Sequence, residues 1–310
     1  MKRLRTVFMG TPDFAVDCLR VMHEKTDVAV VVTQPDRPKG RGQKLTPSPV
    51  KVKALEYGIP VWQPEKIKAA DCVNHLREIK PDLIVVVAFG QILSQEILDI
   101  PPLGCVNVHA SLLPRYRGAA PIHWSVINGE TETGVTTMMM DAGLDTGDML
   151  LKSRVEITAD MTTGELHDKL ARVGSGLLAD TVDALMNGNI TREKQDGSLS
   201  NYASMLTKET GHIDWTRSAA EIHNLVRGLN SWPVAWTVLN GKNYKVWRTR
   251  VLDDYSGQPG QVLELTKTGF IVAAGTGAVE VLEIQPPSKK RMSAGDFVRG
   301  NGISTELIFD

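Results

Sequence analysis

The sequence predicts an α/β fold with a mostly parallel, Rossmann-like sheet, followed by a small β-barrel of the oligonucleotide/oligosaccharide-binding (OB) type. Val28–Thr33 and Asp82–Phe89 are continuous apolar runs rich in β-branched residues, which is typical of strands buried on both faces of a parallel sheet. Leu4–Met9, a turn and a helical pattern precede Val28, so the chain opens with a strand–helix–strand unit. Beyond Trp236, five short apolar runs separated by turns predict the barrel.

The remaining elements follow from local patterns. Leu103–His109, Val135–Met140 and Met149–Ile157 read as strands, and the apolar spacing of Thr163–Met186 predicts a long helix. Asn240-Gly241 between two apolar runs predicts a β-hairpin. We place a catalytic domain at 1–188, a polar linker at 189–207 and the barrel domain at 208–310.

Composition restricts the class of protein. The 310 residues are 42% hydrophobic and 23% charged, and the formal net charge is −1, so any contact with nucleic acid must use a local basic patch. The three cysteines lie far apart, no apolar run approaches membrane-spanning length, and the first one is too short for a signal sequence. We therefore expect a cytoplasmic protein without a membrane partner. The sequence leaves the oligomeric state open, and we expect a monomer.

One segment, 34–53, interrupts the α/β pattern with lysine, arginine, proline and glycine. We expect a long exposed loop at the carboxyl end of a strand, which is where α/β proteins bind ligands. Its positive charge suits a phosphate-rich polymer. An ordinary solvated loop explains the same composition equally well.

A constellation of polar residues follows the strand Leu103–His109. Asn107 and His109 are two apart, so their side chains share one face of that strand. Asp145 lies further on, in a loop dense in glycine and carboxylates. An amide, an imidazole and a carboxylate can supply oxyanion donors and a proton path without a side-chain nucleophile. Each of the three taken alone is more often a structural residue.

Other chemistries have less support in the sequence. The motifs GxSxG, GxxxxGK[ST] and HExxH are all missing. The histidines show no metal-ligand spacing, so we expect no metal. Cys105 lies inside a buried apolar run, where a reactive thiolate is not expected.

The constellation also carries a family resemblance. The run Asn107–Pro114 (NVHASLLP), followed by Tyr116-Arg117-Gly118, resembles the core motif of folate-dependent formyltransferases, as does the turn Asp141–Gly147. The similarity extends through both predicted domains and narrows to the bacterial members of the family that act on methionyl initiator tRNA. The segments that carry this narrower similarity are FMGTPDFAV (8–16), TQPDRPKGRGQKLTPSPVK (33–51), GAAPIHWSVINGE (118–130) and Arg227–Ala235.

The resemblance implies a formyltransferase fold, 10-formyltetrahydrofolate as the formyl donor, and the amino group of methionyl initiator tRNA as the acceptor, for translation initiation. It assigns Asn107, His109 and Asp145 to catalysis. The residues it implies for the folate are Ser111, Leu112, Leu113, Pro114, Phe89 and Gly90, and those for the tRNA are Arg37, Lys39, Arg41 and Lys44.

Two alternatives remain. A sugar-nucleotide N-formyltransferase explains Asn107, His109 and Asp145 but gives no reason for the basic segment. A non-catalytic RNA-binding protein explains the basic segment and the barrel but leaves the polar constellation without a role.

Overall fold

The computed structural model of the chain describes residues 3–39, 44–301, 303–305 and 307–310. Tertiary contacts divide the chain into two compact units, each assembled from three separate segments. The first consists of Met1–Gly118, Thr133–Val155 and His167–Tyr202, and the second of Ala119–Glu132, Glu156–Leu166 and Ala203–Asp310. The domain boundaries at 188 and 208 stay a prediction.

A seven-stranded sheet forms the centre of the first unit, in the order β10-β9-β7-β6-β1-β2-β5. The pairs β1–β2, β1–β6, β2–β5 and β6–β7 are parallel, and β7–β9 is antiparallel. The mostly parallel sheet predicted from the sequence is therefore confirmed. Its strands are β1 (Arg5–Gly10), β2 (Asp27–Val32), β5 (Val61–Trp62), β6 (Leu83–Val87), β7 (Cys105–His109), β9 (Glu132–Met139) and β10 (Met149–Glu156).

Burial on both faces explains why these runs are continuous apolar strands. Every residue of β6 is buried, and Val7, Val30 and Ile84 from neighbouring strands share one core cluster. The helices α1 (Val16–Lys25), α2 (Pro49–Glu56), α3 (Ala70–Ile79), α4 (Gln95–Leu98) and α6 (Thr163–Met186) connect or follow the strands. No helix in the part of the chain that the structure describes is long and apolar enough to cross a membrane.

The described parts of the basic segment, 34–39 and 44–53, contain two short strands and the start of a helix where a long loop was predicted. Arg37–Lys39 (β3) pairs antiparallel with Lys44–Thr46 (β4), and the ladder satisfies backbone groups that a loop would leave to water. Ser48 then caps α2, since its side chain accepts from the backbone N–H of Lys51 at 3.0 Å, and Pro49 occupies the first turn. Arg41 lies outside the described residues.

The second unit contains a six-stranded antiparallel sheet in the order β12-β13-β16-β15-β14, with β17 paired to β16. Asn240 and Gly241 join β12 to β13 with φ values of 51° and 71°, as a two-residue hairpin turn requires. The strands are β12 (Ala235–Leu239), β13 (Lys242–Leu252), β14 (Val262–Leu265), β15 (Phe270–Ala273), β16 (Ala278–Gln285) and β17 (Met292–Ser293).

Helices cover the apolar face of this sheet. Ser218 and Glu221 form a capping box at the start of α7, and Ile222 and Val226 of α7 belong to the same core cluster as Val246. The helices of the unit are α5 (Pro121–Ile127), α7 (Ala219–Gly228) and α8 (Ala294–Asn301); the chain also has two short strands, β8 (Arg117–Gly118) and β11 (Tyr202–Ala203).

Candidate active site

Asn107 and His109 point from the carboxyl-terminal half of β7 towards the loop between β9 and β10. That loop carries Asp145, whose Oδ1 lies 3.4 Å from Asn107 Nδ2 and whose Oδ2 lies 3.7 Å from His109 Nδ1. The His109 side chain is 6% exposed and that of Asp145 is 14% exposed. The structure thus brings together three side chains that span 38 positions of sequence.

A backbone carbonyl fixes the proton on the imidazole of His109. Its Nε2 lies 2.9 Å from the carbonyl oxygen of Tyr116. Because a carbonyl oxygen can only accept, Nε2 must carry a proton and donate it there. The opposite nitrogen, Nδ1, is consequently the one that faces the carboxylate of Asp145.

Local turns hold the Asp145 loop in shape. Asp145 adopts a left-handed φ of 53°, and its Oδ2 accepts the backbone N–H of Gly118 at 2.9 Å. Asp141 Oδ1 accepts from the N–H of Gly143 at 3.0 Å. A Cβ at Gly147 would lie 1.8 Å from the carbonyl oxygen of Met139, so only glycine fits where the loop returns to the sheet.

Two residues that sequence reasoning missed hold this site from the segment predicted as a linker. Gln195 Nε2 donates to the carbonyl oxygens of Asp145 and Gly147, each at 2.8 Å. Asn201 Oδ1 accepts the backbone N–H of Tyr116 at 2.5 Å. These contacts join positions at least 48 residues apart within a polar, turn-rich segment, where no periodic pattern could have indicated them.

The residues predicted for the folate lie at the carboxyl ends of β6 and β7. In the Ser111–Pro114 loop, buried Thr136 Oγ1 donates to the carbonyl of Ser111 at 2.7 Å and accepts from the N–H of Leu113 at 3.1 Å. Leu113 is buried with Met138 and Met149, and its bond to Pro114 is cis. Leu112 and Pro114 are half-buried, so they are the members of this loop with side-chain surface left for a ligand.

The turn after β6 presents backbone to solvent. The Phe89 side chain is 1% exposed and packs in the core, while its carbonyl accepts from Thr11 Oγ1 at 2.9 Å and Gln34 Nε2 at 3.2 Å. Its neighbours Ala88 and Gly90 are exposed and have φ values of 46° and 83°. A ligand can therefore reach the backbone on either side of Phe89 but not the ring itself.

Three of the predicted tRNA-contacting residues, Arg37, Lys39 and Lys44, lie on the paired strands β3 and β4. Arg37 and Lys44 are exposed, and Lys39 is the register partner of Lys44. Arg37 Nη2 is 3.4 Å from a carboxylate oxygen of Glu65, but both side chains are largely exposed and such pairs contribute little. The structure does not describe Arg41.

An ion pair anchors the base of this hairpin. Lys51 Nζ lies 2.8 Å from Asp36 Oδ2, and Gln63 Nε2 donates to Asp36 Oδ1 at 2.7 Å. The hydrogen bond from Lys51 is the largest cause of the lowered pKa of Asp36, and the hydrogen bond from Gln63 is the next largest. Asp36 is therefore paired and does not cancel the charge of the hairpin strands.

The cysteines are buried, and two arginines of the second unit are ion-paired. Burial raises the pKa values of Cys18 and Cys105 to about 12, so both are thiols at neutral pH. Among the residues described here, no group of three His, Cys, Asp or Glu side chains could hold a metal ion. In the second unit, Arg250 pairs with Glu280 and Arg291 with Glu283, which reduces the charge of that surface.

Comparisons with known proteins identify the family. Residues 4–182 match the family model described as "Formyl transferase", and residues 205–302 match "Formyl transferase, C-terminal domain". The methionyl-tRNA formyltransferase of Geobacter metallireducens is 55% identical over 301 residues, 97% of this chain and 96% of that protein. That of Ruminiclostridium cellulolyticum is 52% identical over 306 residues, 97% of this chain and 98% of that protein.

Solved structures show the same fold at lower identity. The sugar 3N-formyl transferase WlaRD, crystallised with dTDP and 5-N-formyl-THF, gives a TM-score of 0.68 at 21% identity and covers 94% of this chain and 100% of its own. HypX from Aquifex aeolicus in complex with tetrahydrofolic acid gives 0.63 at 16% identity and covers 99% of this chain and 51% of its own. With both family models matched and relatives above 50% identity along almost its whole length, the chain belongs to the methionyl-tRNA formyltransferase family.

Proposed function

We propose that the protein transfers the formyl group of 10-formyltetrahydrofolate to the amino group of methionyl initiator tRNA. The observation that carries the proposal is the identity of more than 50%, over nearly the full length of both chains, with proteins named methionyl-tRNA formyltransferase. Convergence of Asn107, His109 and Asp145 supports it independently, because the acceptor amine supplies the nucleophile and no side-chain nucleophile is needed.

The reaction sets the tasks of the site. A C–N bond forms between the formyl carbon and the methionine nitrogen, and the bond from that carbon to N10 of the folate breaks. One proton leaves the amine, and one proton arrives at N10. The protein must therefore offer donors to the formyl oxygen and a path for the proton.

Asn107 supplies the first donor. Its amide nitrogen carries two hydrogens, and only one is directed to Asp145 Oδ1 at 3.4 Å. The second is left for the formyl oxygen as negative charge develops on it. A side-chain amide used in this way is a well-attested oxyanion donor.

His109 acts through Nδ1. The carbonyl of Tyr116 keeps a proton on Nε2, so Nδ1 is the nitrogen that gains or loses the mobile proton. With a proton on Nδ1 the ring donates towards the formyl oxygen. Asp145 orients the ring and balances its positive charge. It takes the amine proton, directly or through water, as the proton on Nδ1 passes to N10 of the folate, and the proton on Asp145 then restores that on Nδ1.

The folate is held at the carboxyl ends of β6 and β7. Leu112 and Pro114 offer half-buried apolar surface, and the backbone beside Ala88 and Gly90 is open to hydrogen bonding. A planar, polar-edged heterocycle needs such a combination of apolar surface and backbone groups. In this proposal Ser111, Leu113 and Phe89 shape the site from the interior rather than through exposed side chains.

Arg37, Lys39, Arg41 and Lys44 contact tRNA phosphates in the same proposal. The sheet of the second unit closes into an OB-like barrel that also binds the tRNA. Support for closure comes from β13, an eleven-residue strand whose pairing with β16 has register shifts near Arg248, since bulges allow a long strand to bend. The enzyme acts as a cytoplasmic monomer and uses no metal.

One assay decides between the acceptors. The purified chain is incubated with 10-formyltetrahydrofolate and either methionyl initiator tRNA or an amino-sugar nucleotide, and the formylated product is counted. We expect transfer to the tRNA alone. Transfer only to the sugar would replace this proposal with a sugar N-formyltransferase, and tRNA binding without transfer would leave an RNA-binding protein.

A further inference from the structure

We propose that Gln195 is a positioning residue for formyl transfer, an inference that rests on the proposed function. Its Nε2 donates to the carbonyl oxygens of Asp145 and Gly147, each at 2.8 Å. Its Oε1 accepts from Arg117 Nε at 3.0 Å and from Arg117 Nη2 at 2.8 Å. Gln195 touches no reacting atom and acts by placing the Asp145 carboxylate beside His109.

The partners of Gln195 determine the orientation of its amide. Carbonyl oxygens only accept and a guanidinium only donates, so Nε2 must face Asp145 and Gly147 while Oε1 faces Arg117. Both hydrogens of the amide nitrogen and both lone pairs of its oxygen are then used. A side chain that is half-buried and saturated in this way has one defined position.

The oxygen and the nitrogen of the Gln195 amide contact two different segments, one that supports His109 and one that carries Asp145. Arg117 lies between Tyr116, whose carbonyl accepts from His109, and Gly118, whose N–H donates to Asp145. On the other side, Gln195 holds the backbone of Asp145 itself. Gln195 therefore connects the segment that orients the imidazole to the loop that carries the carboxylate.

The Asp145 backbone depends on such support. Its φ of 53° lies in the left-handed region, which costs free energy in a residue with a side chain and persists only when the surroundings impose it. Without the amide of Gln195 the carbonyl of Asp145 loses this partner, and the carboxylate can move away from His109 Nδ1.

Gln195 is itself held by backbone contacts. Met149 and Glu193 exchange two backbone hydrogen bonds, of 2.8 and 2.9 Å, two residues before Gln195. On the other side of Gln195 along the chain, Asn201 accepts the N–H of Tyr116. The segment 193–201 is thus fixed to the sheet at one end and to the support of His109 at the other.

Removing the amide should affect the rate rather than binding. We expect Gln195→Ala to lower the single-turnover rate roughly 10- to 100-fold, the scale of a small misplacement of catalytic groups, while KM for the folate and the tRNA changes little. Gln195→Glu keeps the acceptor for Arg117 but turns oxygen lone pairs towards two carbonyls, so it should not restore the rate. Gln95→Ala, an exposed helical glutamine, is the matched control and should match the wild type.

A double-mutant cycle with Asp145→Ala tests the route of the effect. If Gln195 acts by placing the Asp145 carboxylate, Gln195→Ala has no further effect on the single-turnover rate once that carboxylate is gone. Losses that multiply in the double variant, or a wild-type rate in both Gln195 variants, would overturn the proposal.

Two further measurements separate the possible failures. A wild-type chain that formylates no tRNA refutes the proposed function, whereas an active wild type with unaffected Gln195 variants refutes only the positioning role. Thermal unfolding of each variant identifies loss of folding. If Gln195→Ala does not fold, Gln195→Glu carries the same cycle.

Discussion

At the scale of single residues, protonation follows from which atoms lie opposite each ring nitrogen. His109 Nε2 faces a carbonyl and must donate its proton there, so Nδ1 is the nitrogen that faces the carboxylate of Asp145. His223 in the second unit is also buried, and its Nε2 lies 3.3 Å from the carbonyl of Ala159 while Nδ1 lies 3.0 Å from Thr249 Oγ1. The two histidines share a donor arrangement at Nε2 but differ in what Nδ1 meets, a carboxylate or a hydroxyl.

Asn107→Ala removes the donor assigned to the formyl oxygen. We expect the single-turnover rate with methionyl initiator tRNA to fall by about 10²–10³, the usual cost of one oxyanion donor, with folate binding and the thermal midpoint close to wild type. Asn74→Ala, an exposed asparagine on α3, is the control. A near-normal rate for Asn107→Ala would contradict the assigned role.

His223 should make unfolding depend on pH. Burial, the largest cause, lowers the pKa of His223 below its ordinary value of 6.5, and Arg227 acts in the same direction while Asp160 opposes it. Below about pH 6.5 the unfolded chain then binds more protons at this residue than the folded chain does. The stability contributed by neutral His223 is therefore fully present above about pH 6.5. It is lost as the pH falls from there through the lowered pKa of His223 in the folded state.

The measurement compares urea unfolding at about pH 7 and about pH 5.5. In His223→Gln the free energy of unfolding should fall less between the two pH values than in the wild type. The glutamine amide keeps polar groups near Ala159 and Thr249 but does not titrate. His75→Gln, at an exposed histidine, should retain the wild-type dependence. An undiminished dependence in His223→Gln would show that His223 is not its source.

At the scale of elements, the hairpin β3–β4 presents cations on strands rather than on a loop. Arg37, Lys39 and Lys44 are therefore spaced by a ladder whose register is defined. The Asp36–Lys51 pair at its base fixes where the hairpin leaves the sheet.

Lys44→Ala should separate tRNA binding from chemistry. We expect the slope of log kcat/KM for tRNA against log salt to become shallower by about 0.7–0.9, the value of one phosphate contact, while the saturated rate and KM for the folate stay unchanged. Arg77→Ala, an exposed cation on α3, is the control. An unaltered slope would mean that Lys44 meets no phosphate.

At the scale of the whole molecule, local sequence patterns predicted the sheet and the proximity of Asn107 and His109. The strands β6 and β7 are buried along almost their whole length, so neighbouring residues in the sequence are apolar and indicate a buried strand. The roles of Gln195 and Asn201 depend on partners far away in the chain. The periodicity of apolar residues gives no information on such contacts. A polar, turn-rich segment has the same composition whether it passes a functional site or only links two domains.

Contacts between distant parts of the chain also determine its division into two units. The predicted catalytic domain, 1–188, includes α5, whereas contacts group α5 with α7, more than 90 residues later. Within the second unit, Ala120 shares a cluster with Leu206 and Leu229. Because α5 is short and apolar, nothing in its own sequence states which layer covers it.

A chain that ends at Tyr202 tests this arrangement. It would keep α5 but lose α7 and Leu206, so the apolar surface of Ala120 and Trp124 would lose its cover. We expect the fragment to unfold at a lower temperature than the full chain and to bind a hydrophobic dye. A monomeric fragment with the full-length unfolding midpoint would favour the contiguous catalytic domain at 1–188.

The carbonyl that holds His109 belongs to the main chain of Tyr116. Every amino acid carries the same carbonyl, so no substitution at 116 deletes this acceptor; only displacement of the backbone can. The tautomer of the His109 imidazole therefore does not depend on which side chain stands at position 116. Contacts that could restrain the backbone around this carbonyl are the hydrogen bond from the Tyr116 N–H to Asn201 Oδ1 and that from Arg117 Nε to Gln195 Oε1.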